Sequence, residues 1–81
     1  MTNEQIFQIL KQHIFEVAPD LEETNITPQD SLKHLGIDSI NRAEIIMMLM
    51  DDLSLNVPKR EFAGAKNIEE LVNLFATKLN S

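Results

Sequence analysis

Apolar residues recur at helical intervals in three stretches of this chain, and nowhere do they alternate as a half-buried strand would. Ile6, Phe7, Ile9, Leu10, Ile14 and Val17 mark the first, from about Asn3 to Val17. Thr2 with Gln5 three residues on is a capping-box pattern, and Pro19 stops the helix because proline disfavours helix in the residue before it. A second helix is expected from about Ser39 to Leu53, with Asp38 as its N-cap. Ile45, Ile46, Leu49 and Leu53 share one face of it, and Ile40, Met47 and Met50 form an adjacent apolar strip. Asn67 and Glu70 open a last helix to about Leu79, with Ile68, Leu71, Val72, Phe75 and Leu79 facing inward. Pro58 suits the first turn of a short helix through about Ala63, ended by Gly64. The expectation is an all-α fold: a small four-helix bundle of three longer helices and one short one.

Between the first two helices the chain is polar and broken from Ala18 to Asp38. Asp20, Asn25, Thr27, Pro28 and Asp30 supply turn chemistry, while Leu21, Ile26, Leu32, Leu35 and Ile37 are scattered apolar anchors. Ser31 to Leu35 reads as a short helical turn ended by Gly36. So long a loop in so small a domain tends to be functional. The 81 residues suffice for one domain, 1–81, with no repeat and no interdomain linker.

Composition removes several classes of function. With 13 acids against 7 bases, the charge of −6 disfavours a nucleic-acid backbone as partner. No tyrosine or tryptophan is available as a stacking platform. Without cysteine there is no disulfide and no thiolate metal site, and His13 and His34 lack ligand spacing, so no metal is expected. Asp20, Glu22 and Glu23 have no EF-hand spacing after them. The longest apolar run, Ile45 to Met50, is far too short for a membrane span, and no signal-peptide core follows Met1. A soluble, cytoplasmic, monomeric protein is expected.

Ser39 is the residue that asks for an explanation. It is no serine nucleophile of the usual kind, since His34 and His13 stand at no diagnostic spacing and there is no Gly-x-Ser-x-Gly elbow. No catalytic residue is expected. Its place at a helix start favours an anion on its hydroxyl, because free N–H groups and the macrodipole meet there; Asp38 opposes that at close range. Arg42, one turn on, either snorkels outward or reaches such an anion.

The stretch Leu35-Gly36-Ile37-Asp38-Ser39-Ile40 resembles the acyl carrier protein signature Leu-Gly-x-Asp-Ser-Leu, with isoleucine for the usual last leucine. The likeness extends through the order of helices, long loop, signature and Val57-Pro58. It implies that Ser39 carries 4′-phosphopantetheine, transferred from coenzyme A by a separate phosphopantetheinyl transferase, with acyl groups held as thioesters. The carrier itself would catalyse nothing. Acyltransferases, ketosynthases or related enzymes would dock on the second helix and the loop before it, at Asp38, Ile40, Glu44, Met47, Met50 and Asp51. Ile45, Ile46, Leu49, Leu53, Phe62, Ile68 and Leu71 would line the interior.

Within the family, Met47-Met48-Leu49-Met50 and Arg42 depart from the strongly acidic second helix of fatty-acid carriers, and docking leans more on apolar contact. Peptidyl carriers differ at Gly36-Ile37. The resemblance points to a discrete polyketide-type carrier, and within that to a donor carrier for β-branching. A fatty-acid or D-alanyl carrier is the alternative within the family, and an unmodified helical interaction module the alternative outside it.

Overall fold

The computed structural model describes residues 1–80. It is all-helical: α1 (Asn3–Val17), a 3-10 turn (Pro19–Glu23), α2 (Ser39–Asp52), a second 3-10 turn (Lys59–Phe62) and α3 (Ile68–Leu79), with no strand among the described residues.

Each long helix starts where a side chain satisfies its free N–H groups. At α1 the Gln5 N–H donates to Thr2 Oγ1 at 3.1 Å, and the Thr2 N–H donates to Gln5 Oε1 at 2.8 Å, so the capping box is complete. At α3 the Glu70 N–H donates to Asn67 Oδ1 at 2.8 Å. The long loop caps α3 as well, with the Ile68 and Glu69 N–H groups donating to the carbonyls of Asp30 and Pro28, each at 2.8 Å. The loop is therefore tied to the bundle, and it buries Ile26, Leu32 and Ile37 there.

α1, α2 and α3 converge on one core. Ile6, Leu10 and Ile14 from α1, Ile45 and Leu49 from α2, and Ile68 and Phe75 from α3 are fully buried. Phe62, from the second 3-10 turn, stacks on Phe75 with ring centroids 4.1 Å apart. His13 Nε2 pairs with Asp52 Oδ2, joining α1 to the end of α2.

The expected short helix at 58–63 is a single 3-10 turn, with Pro58 outside it in extended backbone. The Glu61 and Ala63 N–H groups donate to Pro58 and Arg60 carbonyls, three residues back. Too few residues stand between Pro58 and Gly64 to propagate an α-helix. A 3-10 turn also follows Pro19, where only a stop was expected.

Gly36 ends the turn before α2 by a Schellman closure. The Ile37 N–H donates to the Leu32 carbonyl and the Gly36 N–H to that of Lys33, at 3.1 and 3.0 Å. The accompanying apolar contact is supplied by Leu32 and Ile37, both buried. Gly36 takes φ +85, and beyond its own chain neighbours no atom lies within 4 Å of where a Cβ would stand, so only the backbone resists a side chain there. Gly36→Ala is expected to lower stability by about 1–2 kcal/mol, the cost of a left-handed L-residue, read as a lower midpoint in urea with an unchanged slope.

Candidate functional site

The closure at Gly36 sets the position of Asp38 and Ser39. Asp38 is the N-cap of α2: its Oδ1 accepts from the Asn41 N–H at 2.8 Å. That leaves Ser39 as the first residue of the helix, exposed, with no hydrogen-bond partner for its hydroxyl among the described residues. A free hydroxyl at the positive end of a helix is a reactive handle well placed for a product that bears negative charge.

Ser39 lines a groove of about 630 Å³ between α2 and the segment from Lys59 to Leu71. Ile46, Phe62, Ile68 and Leu71 give it an apolar floor. Its charged lining is cationic: Lys33, Arg42, Lys59, Arg60 and Lys66, with His34, Ser31 and Asn67 beside them. Arg42 is half-buried and lines this groove together with Ser39.

The outer face of α2 is different. Ile40 is 78% exposed and Met47 53% exposed, and they are the two large apolar side chains of α2 most open to solvent. Asp38, Glu44 and Asp51 are exposed around them. Met50 is half-buried and packs against the core, so it belongs only partly to this surface. Met48, on the polar side by periodicity, also packs against the core. Of the expected interior residues, Ile45, Leu49, Phe62, Ile68 and Leu71 are buried, while Ile46 and Leu53 are half-buried against the same core.

His13 and His34 stay apart: His13 is engaged with Asp52, and His34 lies at the groove. Among the described residues no group of three or more His, Cys, Asp or Glu could hold a metal ion, and no helix is long and apolar enough to cross a membrane. The cationic lining is the feature that sequence reading missed. Only Arg42 had drawn notice, because the net charge averages over a chain whose bases are gathered on one side of α2.

Comparison with known proteins agrees with this geometry. The phosphopantetheine attachment site family matches residues 8–75. The chain is 44% identical over 81 residues to the polyketide biosynthesis acyl-carrier-protein AcpK of Bacillus subtilis, covering 100% of this chain and 99% of that protein. It is 31% identical over 70 residues to an acyl carrier protein homolog of Ureaplasma parvum, covering 86% and 83% of the two chains. In a crystal structure of the curacin biosynthetic pathway HMG synthase in complex with acetyl donor-ACP, one chain superposes with a TM-score of 0.93 at 62% identity, over 96% of this chain and 100% of that one. A family match over residues 8–75 and a relative 44% identical over the whole length leave one conclusion: the chain belongs to the phosphopantetheine attachment site family, among the acyl carrier proteins.

Proposed function

We propose that Ser39 is the attachment point of 4′-phosphopantetheine and that residues 1–81 work as a single carrier domain, with the 3-10 turn Lys59–Phe62 as the family's short fourth helix. The observation that carries the reading is the exposed, unpartnered Ser39 hydroxyl at the start of α2, released from capping duty by Asp38. The residues fit the group. The hydroxyl is free to be modified, the helix start and the cations at the groove favour its phosphodiester, and the groove floor is apolar. When attached, the arm supplies the thiol that this cysteine-free chain lacks, and so the means to hold an acyl group as a thioester. The chain's own residues place the arm and present it; separate enzymes do the chemistry.

The pathway is read from the relatives. A polyketide carrier of Bacillus subtilis and a complex of an HMG synthase with an acetyl donor carrier support a polyketide setting. Within it, this chain delivers acetyl-type groups to an enzyme that builds β-branches. The partners are a phosphopantetheinyl transferase, which acts once, and pathway enzymes of the ketosynthase and HMG synthase kind, which act repeatedly. The carrier works in the cytoplasm as a monomer.

Intact mass tests the attachment. After incubation with coenzyme A, magnesium and a phosphopantetheinyl transferase, one phosphopantetheine is gained. Folded protein that gains nothing, even with a transferase from the same organism, is an interaction module and not a carrier.

The docking surface comprises Asp38, Ile40, Glu44, Met47 and Asp51, with Met50 at its edge. Exposed apolar residues ringed by carboxylates suit a partner patch that is apolar at its centre and basic at its rim. Met47→Glu puts a charge into that centre. Acyl transfer to the partner enzyme is expected to fall roughly tenfold, the cost of a poorly compensated buried charge. Stability should stay within about 0.5 kcal/mol, as for other surface changes. An unchanged transfer rate removes Met47 from the docking surface.

A further inference from the structure

Five of the chain's 7 Lys and Arg residues, Lys33, Arg42, Lys59, Arg60 and Lys66, line the groove beside Ser39, and none of its 13 acids does. Among the described residues none of the five is in an ion pair, whereas Lys78 pairs with Glu61 and Lys11 lies over the Phe7 ring. Arg42 is half-buried, and the other four are exposed to whatever approaches from outside the chain. In a protein of net charge −6 such a patch is a local reversal of sign. Cations gathered without a carboxylate repel one another, and a polyanion brought among them relieves that repulsion. The outer face of α2, by contrast, exposes Asp38, Glu44 and Asp51. The two faces ask for partners of opposite sign.

Loading brings one polyanion to Ser39: the donor, coenzyme A, with its diphosphate and its 3′-phosphate. A bond forms between Ser39 Oγ and the phosphorus that bears the pantetheine. The bond from that phosphorus to the bridging oxygen of the diphosphate breaks. The fragment 3′,5′-ADP leaves with the electron pair, and the hydroxyl proton passes to a base of the transferase. We propose that the cationic patch is a contact site for the nucleotide phosphates of coenzyme A while the transferase holds the donor, and that it acts in trans on the departing 3′,5′-ADP. The inference rests on Ser39 being the attachment point, and it concerns the free donor at the loading step. The reacting phosphorus must come within bonding distance of Ser39 Oγ, and Ser39 is itself part of the groove lining, so the donor's phosphates stand at the edge of the patch. Negative charge grows on the leaving phosphate as the bond breaks, and fixed cations placed there are what phosphoryl transfer chiefly needs. Asp38, next to Ser39, repels the donor, and the patch offsets that repulsion. Arg42 and Arg60 can each grip a phosphate through two N–H groups. Each exposed contact is weak and screened by salt, so the effect belongs to the cluster and not to one residue.

Two measurements on the unmodified full chain test this. In the first, 3′,5′-ADP is titrated into the carrier alone, at low salt, and amide NMR signals are followed. The signals of Lys33, Arg42, Lys59, Arg60 and Lys66 are expected to shift, and adenosine at the same concentration should leave them in place. Sulfate should need a roughly tenfold higher concentration for the same shift, because it reaches fewer cations at once. In the second, loading from coenzyme A by a phosphopantetheinyl transferase is timed by intact mass. Arg60→Gln/Lys66→Gln should load about fivefold to tenfold more slowly at low salt. The gap should close as salt approaches about 1 M and the screening length falls to about 3 Å. The same double variant should lose most of the nucleotide shifts while keeping the wild-type midpoint in urea. Lys11→Gln, away from the groove, should bind and load as wild type does. Wild-type shifts with 3′,5′-ADP no larger than with adenosine, or matched by sulfate at equal concentration, overturn the site. A double variant that loads at the wild-type rate overturns its part in loading. One that loads slowly yet keeps the nucleotide shifts assigns these cations to the transferase's own surface, and the proposal falls. A wild-type chain that never gains mass overturns the attachment reading itself, whatever the titration shows.

Discussion

Ser39→Ala is expected to abolish the phosphopantetheine gain in mass while leaving the fold and its thermal midpoint in place. The loss is complete, because among the described residues no other hydroxyl stands free at the start of a long helix. The fold is spared for a reason that the geometry supplies. The cap of α2 is the Asp38 carboxylate, bonded to the Asn41 N–H, and Ser39 contributes no side-chain hydrogen bond to the helix. Its side chain is exposed, so removing the hydroxyl opens no cavity. Alanine is well tolerated in a helix, and surface changes of this kind stay within about 0.5 kcal/mol. Intact mass and a thermal melt on the same sample check both halves. A variant that still gains mass moves the attachment to another residue. A variant that unfolds makes Ser39 a structural residue of the helix start.

Much of this site could be read before the fold was known, and the reason is local chemistry. Capping depends on residues three apart, so Thr2 with Gln5, Asp38 with Asn41 and Asn67 with Glu70 placed the helix starts. Gly36 was legible because a Schellman closure asks for a residue that tolerates φ +85. The same closure ends α2, where the Leu55 N–H donates to the Met50 carbonyl, but Ser54 fills the left-handed position at φ 54. A serine there sends no sequence signal. The rotation of α2 was legible only in part, since its apolar arc is wide. Periodicity put Ile40, Met47 and Met50 on one strip, whereas packing exposes the first two and half-buries the third. The cationic groove was out of reach. It is made by residues from the long loop, α2 and the segment before α3, and only the way these pack brings Lys33 near Arg60 and Lys66 to one groove.

Phe75→Ala is expected to be among the most destabilising truncations in this core. Phe75 is fully buried in α3, and its ring lies against Phe62 at 4.1 Å between centroids, with the planes 10° apart. Truncation removes the ring, the stacking and the support beneath Phe62 together. Phe→Ala changes in cores cost about 3–5 kcal/mol. A chain of 81 residues has a total stability of about 4–12 kcal/mol at ~0.05–0.15 kcal/mol per residue. One side chain therefore holds a large share of the margin, and the variant should be partly unfolded near physiological temperature. The effect reaches function through Phe62, because that residue is also part of the groove floor beside Ser39. Phe75→Leu separates the two consequences. It keeps most of the apolar volume, should cost less than half as much as alanine in urea unfolding, and should keep loading on Ser39 intact. Equal losses for leucine and alanine would mean that the stacked geometry, and not the buried volume, holds the 3-10 turn against α3. Negligible losses for both would show that the Phe62–Phe75 pair is not the keystone of this core.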